Sequence, residues 1–118
     1  MRSMFYKILE TDESIEDLLQ LAFNAYLYTR SKSSGENVFD AFEKAISDIS
    51  VFPLGFRGIS VEHRGYEIRI FPFSNYNLFF IVDEENVVIT ILRVLYQKQD
   101  WASILRMQAI YHIEEKAV

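Results

Sequence analysis

Residues 65–100 read GYEIRIFPFSNYNLFFIVDEENVVITILRVLYQKQD, and this stretch decides the fold of the 118-residue chain. Three of its segments, 67–71, 77–82 and 87–95, are rich in β-branched and aromatic residues, which favour strands. Turn-forming residues separate them: Pro72, Ser74, Asn75 and the acidic run 83–86. Because connections this short join antiparallel neighbours, the stretch predicts a three-stranded antiparallel meander.

The residues before the meander predict one strand and two helices. Residues 4–10 alternate well enough for an opening strand, and residues 11–14 supply capping groups for a helix that continues to Thr29. Its inner face is assigned to residues that recur at three- and four-residue spacing: Ile15, Leu18, Leu19, Ala22, Ala25, Tyr26 and Thr29. Residues 31–35 break this pattern and look like the most flexible stretch. A second helix is predicted from about residue 36 to residue 50.

The rest of the chain completes the predicted domain. Pro53 and Gly55 end the second helix, residues 56–65 form a loop or a short extra strand at 59–62, and Asp100 caps a last helix. The apolar residues of that helix are Trp101, Ile104, Leu105, Ala109 and Ile113. The two amphipathic helices need the sheet to cover their apolar faces. We therefore expect one α+β domain over residues 1–118, with an N-terminal strand, a helical hairpin, the meander in a sheet of about four strands, and a C-terminal helix.

Composition excludes several classes of protein. The chain has no cysteine, which rules out disulfides and thiolate zinc sites, and its two histidines lie far apart in sequence. We expect neither a metal nor a cofactor. No apolar run approaches the roughly 18 residues of a membrane span, so we expect a soluble, unexported, cytoplasmic protein without a membrane partner. The net charge of −5 argues against a protein that coats nucleic acid.

The order of several short motifs resembles the RelE/ParE superfamily of type II toxins. The meander carries Arg69 on its first strand, Tyr76 at the start of the second, and ILRVLY at the end of the third, with Asp100 following. Further matching segments are FYKI at 5–8, IEDL at 15–18 and the Pro53-x-Gly55 motif. The resemblance implies a compact α+β toxin that inhibits bacterial growth, stabilises plasmids and is held in check by an antitoxin.

The resemblance also implies a candidate catalytic set: Arg69, Arg93, Tyr96 and Lys98. RNA cleavage without a metal needs a base for the 2′-hydroxyl, a cation for the transition state and an acid for the leaving oxygen. The RelE-type ribonucleases supply these from clustered basic and aromatic residues. Here Asn77 and Glu67 stand at two positions where that pattern expects basic residues, and Tyr96 stands where many relatives have histidine. These differences favour the ParE branch, whose members act on DNA gyrase.

The two strand arginines also have a purely structural interpretation. In a regular third strand, Arg93 lies on the same face as Val87, Ile89, Ile91 and Leu95. A guanidinium on an apolar face is costly unless it is paired. We therefore expect it either to bind a carboxylate such as Glu67 or to point into a cleft that an anion can enter. The structural role is favoured for this residue and for Arg69.

The expected partners follow from the same resemblance. The usually acidic tail of an antitoxin would fold as a strand or a helix onto the last helix and the sheet, with Trp101, Ile104 and Leu105 as the antitoxin-binding residues. The target would be DNA gyrase or ribosome-bound mRNA. The alternative is a catalytically inert protein-interaction module with the same fold, because the basic catalytic positions are partly missing and the net charge is acidic.

Overall fold

The computed structural model describes residues 6–113, which form three α-helices and one five-stranded sheet. In chain order the elements are β1 (Lys7–Glu10), α1 (Asp12–Thr29), α2 (Lys32–Val51), a 3₁₀ turn (Pro53–Gly55), β2 (Gly58–His63), β3 (Tyr66–Phe73), β4 (Tyr76–Asp83), β5 (Val88–Tyr96) and α3 (Trp101–Met107). The strand order is β1-β5-β4-β3-β2. The predicted meander and α+β class are confirmed.

The sheet has five strands where about four were expected. Residues 58–63 form an edge strand antiparallel to β3. The sequence had predicted either a loop or a short extra strand for this segment. At the other edge, β1 pairs in parallel with β5 from Lys7 to Glu10. Met4 and Phe5, the first residues of the predicted opening strand, lie outside the described residues. Phe5 is also the first residue of the FYKI segment.

Each face of the sheet is covered by a different part of the chain. The helical hairpin of α1 and α2 packs on one face, which we call the hairpin face, and α3 packs on the other, the α3 face. Buried sheet residues of the hairpin face include Leu78, Phe80, Val82, Ile89 and Ile91, and those of the α3 face include Ile68, Ile70, Phe79, Ile81 and Leu92. The central strand β4 is therefore buried on both faces. Burial of this kind is the main favourable contribution to folding.

A buried threonine joins the start of α1 to the sheet. The hydroxyl of Thr11 accepts a hydrogen bond from the main-chain N–H of Ser14 at 3.0 Å, which caps the helix. The same hydroxyl donates to the main-chain oxygen of Leu92 at 2.8 Å. Both Thr11 and Ser14 are fully buried. The helical hairpin is thus attached to β5 by hydrogen bonds as well as by apolar packing.

The second helix begins earlier than the sequence pattern predicted. Residues 32–35, which looked flexible, form the first turn of α2, with Ser31 at the N-cap position. The predicted start near residue 36 was therefore wrong. Gly35 is buried against α1, and a Cβ at this position would lie 3.1 Å from the main-chain oxygen of Ala22. The glycine that resembled a helix breaker is a close-contact position between two helices.

The last helix is shorter than predicted. It ends at Met107, so Ala109 and Ile113 lie in an extended segment after it, not on its apolar face. This segment crosses to the start of α1, where the main-chain N–H of Asp12 donates to the carbonyl of His112 at 2.7 Å. Hydrogen bonds to a distant part of the chain replace those of a longer helix. No helix within residues 6–113 is long and apolar enough to cross a bilayer.

Candidate functional site

A bulge in β5 moves Arg93 to the face opposite the predicted one. Phe79 pairs with Arg93 but its neighbour Phe80 pairs with Ile91, so Leu92 is an extra residue in β5. Residues paired across an antiparallel ladder share a face. Arg93 therefore lies on the α3 face with Phe79, and the prediction that it shares a face with Ile91 was wrong.

Arg93 is bound by a carboxylate, as expected, but the carboxylate is Asp17 and not Glu67. Its Nε donates to Oδ2 of Asp17 at 2.7 Å and its Nη2 to Oδ1 at 2.9 Å, while Nη1 donates to Oε1 of Gln108 at 2.7 Å. Oδ2 also accepts from the main-chain N–H of Val94 at 3.0 Å. The hydrogen bonds to Asp17 raise the pKa of Arg93. The arginine connects α1, β5 and the end of α3 and uses three of its five N–H donors to do so.

Arg69 holds the turn that follows α2. It lies on the hairpin face, paired with Phe80, and its Nη1 donates to the main-chain oxygens of Phe56 at 2.6 Å and Leu54 at 3.3 Å. The neighbouring Glu67 carboxylate fills the space above Gly58, where a Cβ would collide with it. In this position Arg69 satisfies carbonyl groups that the 3₁₀ turn leaves unpaired.

Tyr96 ends a row of aromatic rings on the hairpin face. Successive ring centroids are 4.9–6.2 Å apart along Phe56, Phe71, Phe73, Tyr76 and Tyr96. Its hydroxyl accepts a hydrogen bond from Asn24 of α1 at 3.4 Å. Aromatic rows of this kind stabilise a sheet by packing.

Lys98 is exposed in the turn after β5. It lines an open cleft of about 510 Å³ together with Asn75, Tyr96, Gln97 and Gln99. The cleft brings Lys98 and Tyr96 together, and its other lining residues are neutral.

The four candidate catalytic residues do not meet at one point. Arg69 and Tyr96 share a face, but strand β4 lies between them. They are also offset by four residues of register, since Phe73 pairs with Tyr76 and Tyr76 with Tyr96. Arg93 is on the opposite face, against α3. Within residues 6–113, moreover, no three acidic or histidine side chains are placed to hold a metal ion.

The three residues expected to bind the antitoxin face the sheet. Leu105 is only 2% exposed, and Trp101 and Ile104 are partly buried in the same apolar cluster. The ring of Trp101 packs on Phe79 with centroids 5.3 Å apart. While α3 is docked, the sheet covers the side of α3 that these three residues would offer to a partner.

The structure also reveals an exposed apolar surface that the sequence interpretation placed in the core. Ile15, Leu19 and Tyr26, assigned to the inner face of α1, are each more than 40% exposed. The residues of α1 that are buried are Ser14, Leu18, Leu21 and Ala22. The missed signal is a second apolar row at four-residue spacing, which also includes Phe23 and Leu27. One helix has more apolar positions than a single face against the sheet can cover.

Comparison with known protein families identifies the family to which this chain belongs. The family described as "ParE toxin of type II toxin-antitoxin system, parDE" matches residues 9–101, which is most of the chain. The chain belongs to the ParE toxin family. The matched region begins in β1 and ends at the first residue of α3, so it contains the hairpin and the whole meander. No curated protein matches the sequence significantly.

Solved structures with the same fold come from both branches of the superfamily. A chain of the ParDE system from P. aeruginosa superposes with a TM-score of 0.60 at 15% identity, covering 78% of this chain and 96% of that one. A chain of the RelBE2 complex from Mycobacterium tuberculosis gives 0.54 at 22%, covering 80% and 100%. A free mutant of the E. coli toxin RelE gives 0.51 at 16%, covering 87% and 95%. At these identities the likeness shows the RelE/ParE fold of this ParE family member.

Proposed function

We propose that this ParE family member inhibits bacterial growth by acting on DNA gyrase and is neutralised by a cognate antitoxin. Its place of action is then the cytoplasm. The family assignment supports a toxin of a type II toxin–antitoxin system. The choice of gyrase over ribosome-bound mRNA depends on the candidate catalytic residues.

The observation that carries this choice is the separation of Arg69, Arg93, Tyr96 and Lys98. Metal-free cleavage of RNA requires a base, a cation and an acid within hydrogen-bonding reach of one phosphate. Both arginines instead hold structural hydrogen bonds, to main-chain oxygens in one case and to a carboxylate in the other. A toxin that acts by binding a protein target needs no such cluster.

An antitoxin partner is proposed on the same family basis. Two of the similar solved structures are described as a toxin–antitoxin complex and a toxin–antitoxin system. We keep Trp101, Ile104 and Leu105 as proposed antitoxin-binding residues, with the condition that α3 must leave the sheet for them to be reached. Leu105 is almost fully buried when α3 is docked. An antitoxin segment would then pack on the freed apolar side of α3, in the place that the sheet now occupies.

Controlled expression of the chain alone in bacteria tests the proposal. DNA synthesis and protein synthesis are followed by pulse labelling after induction. We expect DNA synthesis to fall first, and we expect Tyr96→Phe and Lys98→Ala to leave the effect unchanged, because the proposed action on gyrase needs no catalytic set.

Two results would contradict the proposal. An early fall in protein synthesis with cleaved mRNA, lost in the Tyr96→Phe or Lys98→Ala variant, would assign a ribonuclease to the candidate set. Normal growth at full expression of soluble protein would identify an inert interaction module. Co-purification with the protein of the adjacent reading frame tests the antitoxin separately, and separate elution would contradict that part.

A further inference from the structure

A cavity lies between the α3 face of the sheet and the extended segment that follows α3. Its volume is about 290 Å³, near the lower end of the range for small-molecule sites, about 300–1,000 Å³. Leu9, Thr90 and Ile81 line it from three adjacent strands, since Leu9 pairs with Thr90 and Thr90 with Ile81. Tyr111 and Ile113 of the extended segment also line it. The short helix α3 does not fill this end of the sheet.

The interior of the cavity is mainly apolar. Ile81 and Leu92 are only 8% and 1% exposed, and Val88 lines the cavity beside them. The hydroxyl of Thr11 also lines the cavity, but it is already used by its hydrogen bonds with Ser14 and Leu92. An apolar group that enters the cavity exchanges contact with water for contact with these side chains, which favours binding.

Tyr111 forms an adjustable wall of the cavity. Its ring packs edge-on against His63, with centroids 4.8 Å apart and an interplanar angle of 79°. Within residues 6–113, its hydroxyl is the one buried side-chain oxygen or nitrogen that has no hydrogen-bond partner. Burial raises the pKa of Tyr111 to about 12, so the hydroxyl keeps its proton at neutral pH. The side chain is held by packing alone, and a movement of the ring that admits a ligand breaks no hydrogen bond of the phenol.

Two residues of opposite charge line the same cavity. Arg64 is exposed and Asp83 is partly exposed, so both lie where the cavity meets solvent. Hydrogen bonds from Asn86 hold the pKa of Asp83 below its usual value, so this carboxylate is ionised at neutral pH. Among residues 6–113, neither Arg64 nor Asp83 has an oppositely charged group within 4.0 Å. A cation and an anion are therefore available to a ligand that carries both charges.

The surrounding charges favour such a ligand over one with a single charge. Glu84 and Glu85 lie in the same turn as Asp83, so an anion without a positive group is repelled. A cation without a negative group meets the charge of Arg64, which together with burial lowers the pKa of His63. A zwitterion places one charge against each residue.

We infer that this cavity binds a free amino acid with a large apolar side chain. The α-carboxylate contacts the guanidinium of Arg64, the α-ammonium contacts the carboxylate of Asp83, and the side chain enters the apolar interior. A planar guanidinium suits a carboxylate because it can donate two parallel hydrogen bonds. The site does not depend on the proposed function, because only the cavity and its lining residues support it.

L-Phenylalanine is the probe, titrated into the ¹⁵N-labelled full-length chain and followed by NMR. We expect a dissociation constant of about 0.1–2 mM, which is typical of a ligand with about twelve non-hydrogen atoms. The amide signals of Gly65, Thr90 and Ile113 should shift, because these residues lie in or beside the lining of the cavity. The amide signal of Gly35, between the two helices of the hairpin, should stay in place.

Matched ligands test each part of the amino acid. 3-Phenylpropionate lacks the ammonium group, phenethylamine lacks the carboxylate, and L-serine lacks the apolar side chain. We expect each of them to bind at least about tenfold more weakly than L-phenylalanine, because each loses one of the three contacts. N-acetyl-L-phenylalanine and L-phenylalanine amide represent the two ends of a peptide and should be weakened in the same way.

Variants of the full-length chain locate the two charges. We expect Arg64→Gln and Asp83→Asn each to weaken the binding of L-phenylalanine by about tenfold or more. Arg57→Gln and Glu84→Gln are the matched controls, because both residues are exposed and outside the cavity, and they should leave binding unchanged. Circular dichroism checks that the fold is retained. If Asp83→Asn unfolds the chain, Arg64→Gln still decides the outcome.

Three results would overturn the inference. The first is the absence of shifts around the cavity at about 10 mM L-phenylalanine, well above the expected dissociation constant. The second is equal binding of L-phenylalanine and 3-phenylpropionate, or binding that neither Arg64→Gln nor Asp83→Asn changes. The third is binding of N-acetyl-L-phenylalanine or L-phenylalanine amide as tight as that of the free amino acid, which would assign the cavity to the end of a peptide.

Discussion

Replacing Asp17 by Asn removes the charge that holds Arg93 against the sheet. The side chains of Asp17 and Arg93 are 14% and 19% exposed, and the carboxylate accepts three hydrogen bonds, two from the guanidinium and one from the N–H of Val94. Removing one partner of a fully buried pair costs about 3–5 kcal/mol, because the other charge is left without a counterion. Since this pair retains some contact with water, we expect a loss of about 2–3 kcal/mol.

The assay is thermal and urea unfolding followed by circular dichroism. For a chain of this size, 2–3 kcal/mol corresponds to a fall in Tm of about 8–12 °C. Asp40→Asn is the matched control, because Asp40 is an exposed acid on α2 and its loss should change Tm by no more than about 2 °C. In the double variant Asp17→Asn/Arg93→Met, most of the lost stability should return, since no unpaired guanidinium remains. A single-variant Tm within 2 °C of wild type, or strictly additive effects in the double variant, would refute this reasoning.

Three further perturbations test other parts of the structure by the same unfolding measurements. Gly35→Val should destabilise the fold by about 1–3 kcal/mol, because its side chain enters the contact with the carbonyl of Ala22; wild-type stability would show that the helices can separate without cost. Thr11→Val keeps the volume but removes the cap and the bond to β5, so we expect a loss of about 1–2 kcal/mol, and a loss below about 0.5 kcal/mol would contradict the role of the hydroxyl. His112 hydrogen-bonds to Glu13 at 2.8 Å, which raises the pKa of His112 above its usual 6.5, so the stability from this contact is complete below about pH 6.5 and falls as pH rises through the raised pKa. Glu13 has a lowered pKa, because its hydrogen bonds with His112 outweigh its desolvation, so its own contribution is lost only as pH falls below about 4.5. The urea midpoint should therefore decline as pH rises above about 6.5 in the wild type and much less in His112→Ala, whereas equal slopes would contradict the contact.

The meander could be predicted from sequence because its signals are local. β3, β4 and β5 lie within one or two residues of the predicted segments, since β-branched runs and turn residues act over a few positions. The bulge at Leu92 could not be predicted in this way. The bulge depends on how β5 pairs with β4. The main-chain N–H of Val94, next to the bulge, donates a hydrogen bond to Asp17 of α1, which is 77 residues away in sequence. The face of Arg93 follows from that pairing, so alternation alone assigned it wrongly.

The helices show the same division between local and tertiary information. Spacing predicted that α1 and α2 are amphipathic, and they are, but it could not say which of the apolar positions on α1 face the sheet. Leu18 and Leu21 are buried while Leu19 is 57% exposed, a difference set by where α2 and β5 contact the helix. In the sequence, Gly35 was interpreted as part of a break between the two helices. In the structure it lies inside α2, where its lack of a side chain allows close contact with α1. The candidate site residues could be chosen from the sequence because of their residue types. Their separation could not be predicted, because only the sheet register shows that Arg69 and Tyr96 are far apart.

The central claim, that this ParE family member acts on gyrase and not on RNA, is tested most directly with purified components. The chain is incubated with DNA gyrase, supercoiled plasmid and ATP, and the fraction of plasmid converted to linear DNA is measured after detergent treatment. In parallel, translating ribosomes with a labelled mRNA are incubated with the same preparation. We predict gyrase-dependent accumulation of linear DNA and intact mRNA. Cleaved mRNA with unchanged gyrase activity would contradict the account.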